Sequence, residues 1–209
     1  MYLNTNCLLL IPVPGVQAVD LSKSWSNTDG DLYKSIDTQN PPSLDAGGAF
    51  SDGNDLYYYG GYVTGPREVP PIATYEYDIQ NKRWDNDSIG GHIFTRVSAG
   101  STAQSTVHKK AYYLGGTVVP GADPSIAGTT GALIYIVQGL LSLDQNTKQW
   151  TNLSSNDMND YGTVVDGYLN LIESVGDEGI LVSYGGFKRP PGQDVSLLTS
   201  DNLEPSAHV

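Results

Sequence analysis

The sequence has a single cysteine, Cys7, in 209 residues. It cannot close an internal disulfide, and no Cys and His spacing in the chain suits a zinc site. Basic residues are scarce: 11 Lys and Arg stand against 23 Asp and Glu, for a formal net charge of -12. That charge repels phosphate backbones and anionic lipid surfaces, which disfavours nucleic-acid and membrane-surface partners. No apolar run approaches the roughly 18 to 20 residues of a membrane-spanning helix. The longest near the start, Leu8 to Ile11, is closed by Pro12 and Pro14. It reads as a poor signal peptide ending near Val16-Gln17-Ala18, because no Lys or Arg precedes Lys23. Charged residues are only 16% of the chain, whereas glycines number 24 and prolines 12. This is a composition of many turns and not of a helical bundle.

What the chain does contain is a repeat. Three tryptophans, Trp25, Trp84 and Trp150, each end a similar phrase. Val19-Asp20-Leu21-Ser22-Lys23-Ser24-Trp25 recurs as Tyr77-Asp78-Ile79-Gln80-Asn81-Lys82-Arg83-Trp84, and again as Leu143-Asp144-Gln145-Asn146-Thr147-Lys148-Gln149-Trp150. The first copy is one turn residue short. A second phrase, apolar residues running into Gly-Gly, interleaves with the first at Gly60-Gly61, Gly115-Gly116 and Gly185-Gly186. Gly60-Gly61 and Gly115-Gly116 are each followed by the Asp and then the Trp.

Each full unit reads as four short strands. Gly47 to Phe50, Leu56 to Tyr59, Thr74 to Asp78 and Lys82 to Trp84 form the first; Gly100 to Gln104, Lys110 to Leu114, Leu140 to Leu143 and Lys148 to Trp150 form the second. Tyr, Val, Ile and Thr fill the strands, and Asp52-Gly53-Asn54 and Gln80-Asn81 supply turns. One strand at the start, Gln17 to Trp25, and up to three between Tyr168 and Leu198 complete the count. Glycines ending the second strand are expected to take positive φ or to let a neighbouring unit approach closely. In Tyr57-Tyr58-Tyr59, alternation puts Tyr57 and Tyr59 on one face and Tyr58 on the other, which favours core packing over ligand stacking.

These phrases resemble the kelch repeat, in which an apolar strand ends in Gly-Gly and an aromatic or apolar residue precedes a Trp at the spacing of Tyr77 to Trp84 and Leu143 to Trp150. Long irregular units, acidity and Asn-rich turns are most similar to the extracellular and cell-surface kelch-repeat proteins of fungi. The resemblance implies an all-β fold of four-stranded antiparallel propeller blades. The family often carries an Arg opening the first strand of a blade; Arg96 fits, whereas Leu44 to Gly48 and Gly162 to Gly167 offer none. The expected layout is a single propeller-type domain: residues 1–25 as the last strand of a preceding blade plus an irregular N-terminus, 26–84 and 85–150 as blades, and 151–209 as a partial blade. Propellers close with typically four to eight blades. About three blades make an incomplete, open arc, hence the expectation of a fragment of a longer protein, or of a chain that needs the missing blades or self-association.

In such a meander, the loops between strands two and three and those joining successive units emerge on one face. All the long connections belong to these two kinds: Tyr62 to Ala73, Thr117 to Gly131 and Phe187 to Asp194, and Ser26 to Ala46, Asp85 to Val97 and Thr151 to Asp166. This is the candidate binding face. Its residues with reach are Arg67, Glu68, His92, Phe94, Asp123, Lys188 and Arg189. Two sequons, Asn86-Asp87-Ser88 and Asn152-Leu153-Ser154, follow the Trp in successive units and mark Asn86 and Asn152 as candidate glycan acceptors if the chain is secreted.

The expectation is therefore a non-enzymatic recognition scaffold for a protein or carbohydrate ligand, extracellular or at the cell surface. The alternatives are a propeller-type hydrolase or oxidoreductase, and a cytoplasmic kelch adaptor. No catalytic, metal or cofactor set is assigned: no motif places His92, His108 or His208 beside a nucleophile. A copper oxidase of the same general type requires a cysteine within the repeats, and Cys7 precedes them.

Overall fold

Glycine, tyrosine and β-branched residues, alternating between short Asp-led turns, fold here into antiparallel meanders that stack face to face. The computed structural model describes residues 7–10, 16–24, 26, 28, 33–36, 43–65, 68–86, 89–91, 95–126, 135–156, 158 and 160–188. Among the described residues the chain is all-β, with one turn of 3-10 helix at Pro124–Ile126. Among the described residues no helix is long and apolar enough to cross a membrane.

Four packed units follow one another. The N-terminal sheet has β1 (Cys7–Leu10), β2 (Val16–Asp20) and β3 (Lys34–Ile36), with β2 in the middle. The first full unit is β4 (Asp45–Ser51), β5 (Asp55–Tyr62), β6 (Thr74–Asp78) and β7 (Arg83–Asp85), paired in chain order. β8 (Gly90–Gly91) then crosses to the second unit and pairs in parallel with its outer strand. That unit consists of β9 (Ser101–Ser105), β10 (Lys110–Leu114), β13 (Leu140–Asp144) and β14 (Gln149–Leu153). β11 (Thr117–Val118) and β12 (Tyr135–Ile136) form a ribbon in its long connection. The third unit contributes β15 (Tyr168–Ile172) and β16 (Ile180–Tyr184).

The strands of both full units fall where the sequence places them, within a residue or two at most ends. The N-terminus differs. The expected single strand at Gln17 to Trp25 is β2, which occupies the place of a third strand, flanked on both sides. Asp20 accepts from the Ser22 main-chain N at 2.9 Å, so the chain turns soon after β2. Its following strand forms only at Lys34–Ile36, past the boundary at residue 25, and Trp25 lies outside the described residues.

Three apolar layers hold the units together. Val16, Leu44, Leu56, Tyr58, Tyr75, Tyr77 and Trp84 fill the first. Phe50, Tyr57, Tyr59, Ala111, Tyr113, Leu143 and Trp150 fill the second. Tyr112, Leu114 and Leu169 fill the third, with Leu171 and Leu181 against them. The alternation expected along β5 holds: Tyr58 faces back to the N-terminal sheet, Tyr57 and Tyr59 forward to the second unit. Each such ring contributes roughly 2 kcal/mol by burial. Tyr59 meets Tyr113 edge-on at 5.1 Å and Trp150 at 4.9 Å.

The Asp of the repeated phrase starts the turn before the Trp. Asp78 Oδ1 accepts from the main-chain N of Gln80 and Asn81, and Asp144 Oδ1 does the same from Asn146 and Thr147, all at 2.9 Å. This replaces bonds a tight turn leaves unmade. Lys82 and Lys148 then take left-handed φ of 53° and 55° ahead of the last strand.

Main-chain bonds recur at equivalent places between units. Ala99 N donates to Ala46 O and Asp166 N to Ala99 O, each at 2.9 Å, linking the starts of the three first strands. Gly61 N donates to Val97 O at 2.8 Å, and Gly116 N to Val164 O at 3.1 Å. The Gly-Gly pairs serve this approach: Gly60 and Gly115 have φ of 83° and 62°, and a Cβ on them would lie 2.4 Å from Val97 O and 2.3 Å from Val164 O. Gly185 keeps the positive φ, 67°, but a Cβ there would have nothing within 4 Å.

The third unit differs in another way. In the register with the residue before Gly-Gly, Gly48 faces Tyr59, Ser101 faces Leu114 and Tyr168 faces Tyr184. Gly48 is required, since a Cβ there would sit 2.3 Å from Thr102 Cγ2 of the next unit. Ser101 is buried, whereas Tyr168 is 64% exposed and stacks on Tyr184 at 5.3 Å.

Candidate functional site

The second strand of a unit ends, the third begins and the fourth ends at the same edge of the sheet. The long connections therefore gather at one end of the stack, as the meander requires. At this end, between the first and second full units, lies a cavity of about 160 Å³. Tyr59, Val97, Tyr113, Val137 and Leu141 supply its apolar lining, and Thr95, Gln138 and Asn152 its polar groups. Its walls are fixed by their elements. Tyr59 comes from β5 and Tyr113 from β10, both pinned in the aromatic layer between units. Leu141 and Asn152 are paired across β13 and β14.

The tyrosine hydroxyls are engaged by the main chain. Tyr59 Oη donates to Thr95 O at 3.4 Å, and Tyr113 Oη accepts from Gly100 N at 3.1 Å. Burial pushes both phenols well above their ordinary pKa, so they stay neutral. Gln138 Nε2 donates to Asn156 Oδ1 at 2.7 Å, which orients that amide. Gly139, at φ 137°, lets Asn152 approach: a Cβ there would be 3.3 Å from Asn152 Oδ1. Among the described residues, no Asp, Glu, Lys, Arg or His side chain lines the cavity.

Beside it, Arg96 is a fully buried cation. Its Nη2 donates to Pro71 O and, at 2.9 Å, to Pro70 O, tying the first unit's long connection to the entry of the second unit. Nε and Nη1 have no partner among the described residues. Burial lowers the guanidinium's pKa, while Tyr75 and the nearby Asp123 carboxylate favour its charge.

The residues singled out from the sequence are spread along this end. Glu68 is exposed. Asp123 is buried, its Oδ1 accepting from Ser125 N at 2.8 Å and Ser125 Oγ at 2.7 Å. Lys188 Nζ lies 3.8 Å from Asp160 Oδ2. Arg67, His92, Phe94 and Arg189 lie outside the described residues. Asn86 is exposed just after β7, and Asn152 sits on β14 at the cavity. Sequence reasoning missed the cavity's own residues. Tyr113 and Leu141 were read only as strand residues, Gln138 carries no motif, and only the sequon drew notice to Asn152. Among the described residues, no three His, Cys, Asp or Glu side chains gather as a metal site would require.

No family model matches the chain, and no curated protein matches it. Among solved structures, that of YjhT superposes with a TM-score of 0.53 at 12% identity, over 89% of this chain and 57% of that one. At this identity the likeness concerns the arrangement of strands alone. The chain thus spans a little over half the length of that neighbour.

Proposed function

We propose that the chain is a kelch-type propeller segment, and that its loop-bearing end recognises a carbohydrate or protein ligand outside the cell. The repeated Gly-Gly and Asp-to-Trp phrases, four-stranded meanders and inter-unit bonds at equivalent positions support the propeller reading. The sequons at Asn86 and Asn152 support the extracellular setting. The observation that carries the recognition reading is the cavity: a preformed, largely apolar recess with amides at its edge, at the end where all the long connections meet.

The test is a panel of immobilised glycans and extracellular-matrix proteins probed with the whole chain and two sets of variants. Gln138→Ala and Glu68→Ala alter the loop-bearing end; Asn54→Ala and Asn146→Ala alter the opposite turns. Retention weakened by the first set alone is the expected result. Retention weakened equally by both sets, or absent throughout, overturns the reading.

A further inference from the structure

We infer that the outer face of the third unit, where it meets the loop-bearing end, is a stacking platform for a neutral oligosaccharide, one ring of which lies on Tyr168. This names the ligand class for the recognition proposed at that end and rests on that reading. Exposure comes first. The strand tyrosines Tyr57, Tyr59, Tyr112 and Tyr113 are all buried between units. Tyr168 and Tyr184, the first residue of β15 and the last of β16, are 64% and 37% exposed. Their rings stack 5.3 Å apart at an interplanar angle of 16°, so one face of Tyr168 rests on Tyr184 and the opposite face is open to solvent. An exposed ring steadied by its neighbour is a preformed aromatic surface that adds little to the fold.

The kind of occupant follows from spacing and area. In the first unit the residue at this place is Gly48, where a Cβ would sit 2.3 Å from Thr102 Cγ2 of the following sheet, and in the second it is the buried Ser101. A tyrosine there holds off a further sheet built to the same spacing. Register puts Tyr168, Asn170, Ile172, Ile180, Val182 and Tyr184 on this face. Two strands of 5 residues each make a strip about 16 Å long and about 10 Å wide, on the order of 160 Å². A stable protein interface takes roughly 800 Å² from each partner. The strip therefore suits a ligand a few rings long, and these side chains carry no charge to pair with an ionic one.

Hydrogen bonding separates a sugar from a plain apolar ligand. Asn170 Nδ2 donates to Tyr184 Oη at 3.2 Å, which leaves Asn170 Oδ1 as an acceptor and the Tyr184 hydroxyl proton as a donor on the same strip. Covering these groups with hydrocarbon leaves them unpaired, which costs binding. A pyranose meets both requirements, its C–H face on the Tyr168 ring and its hydroxyls on the amide and the phenol.

The test titrates the whole chain with cellotriose, maltotriose, mannotriose and chitotriose, followed by saturation-transfer NMR. One trisaccharide binds with a Kd of about 1 mM, as expected for so few contacting atoms. Tyr168→Ser, a change at an exposed ring, weakens it about tenfold or more with a nearly unchanged thermal melt, whereas Tyr168→Phe, which keeps the ring, holds it within about twofold. Asn152→Ala, at the cavity between the first two full units, leaves it unchanged. Binding that survives Tyr168→Ser, or no saturable binding of any trisaccharide, overturns the inference. Self-association of the parent chain in sedimentation that Tyr168→Ser abolishes assigns the face to a second copy and overturns it as well. On the glycan and matrix panel, weakened retention of Gln138→Ala and Glu68→Ala with full retention of Tyr168→Ser overturns the platform while leaving the loop-end reading intact.

Discussion

Trp150 Nε1 donates a 2.8 Å hydrogen bond to Thr74 Oγ1, so that the last strand of the second unit is fastened to the third strand of the first. Trp84 holds the same place one unit earlier, but the residue equivalent to Thr74 on the N-terminal sheet is Val16, and the buried Trp84 Nε1 has no partner among the described residues. Val16→Thr is nearly isosteric and supplies the missing acceptor. It should raise stability by about 1 kcal/mol, and Thr74→Val should lower it by about 1 to 3 kcal/mol. Urea melts of the two variants against the parent read both signs. A destabilised Val16→Thr means that the hydroxyl does not reach the indole.

The Gly-Gly pairs allow a contrast at matched conformation. Gly60→Ala adds a methyl that meets Val97 O across a unit boundary, at φ 83°. Gly185→Ala adds one into open space at φ 67°. The second should cost only the left-handed strain of about 1 kcal/mol, and the first about 3 kcal/mol or more. Equal losses in thermal melts would falsify the view that the first glycine is kept for the neighbouring unit.

Asp55 gives a pH signature. Burial raises its carboxyl pKa to about 6, and the nearby carboxylates of Glu76, Asp52 and Asp78 add to the shift, while Lys148 opposes it. A raised folded-state pKa means that the folded chain holds the proton more tightly than the unfolded one. The stabilisation is thus full below about pH 4 and is lost as pH rises through about 6. Asp55→Asn removes the charge that is left partly buried at neutral pH. It should stabilise by about 1 kcal/mol at pH 7.5, allowing for solvent screening, with the advantage fading toward pH 4. Chemical denaturation at both pH values checks this, and an advantage independent of pH argues for a packing effect instead.

Ser101 and Tyr168 predict opposite sensitivities at equivalent positions. Tyr168→Ser removes an exposed ring and should cost under about 1 kcal/mol. Ser101→Tyr forces a ring into the buried layer between the second and third units and should cost about 3 kcal/mol. Matching Tm losses for the two would sink the assignment of these residues to the same place in the repeat.

The strands were legible because period and punctuation agreed. Tyr57-Tyr58-Tyr59 alternates between two apolar layers, and Gly60-Gly61 marks where the strand meets its neighbour. The third strand of the first unit has the bounds Thr74 and Asp78 in both readings. β8 escaped notice because two glycines with no side chain to pack give no periodic signal, and its pairing is set by the distant Gln149 and Trp150. The three-stranded N-terminal sheet escaped because its Asp-to-Trp phrase is short by a residue and its last strand is polar, Lys34-Ser35-Ile36. The cavity was hidden for a different reason. It is made by four strands, the connection entering the second unit and the segment leading into β13, so Thr95, Gln138 and Asn152 are neighbours only after the sheets have paired. Local sequence reports what a residue does for its own strand and says little about what four strands enclose together.

Tyr168 standing where the earlier units have Gly48 and Ser101 gives the stack a direction. Units built to one plan are often treated as interchangeable bricks, yet exchanging the second and third here sets a tyrosine ring where the following sheet leaves space for little more than a hydroxymethyl. Shuffled-order genes made from these units should therefore be soluble only when the Tyr168 unit keeps its place after the others. The sequence of modules is itself encoded, one small residue at a time, in the thickness of the gap between sheets.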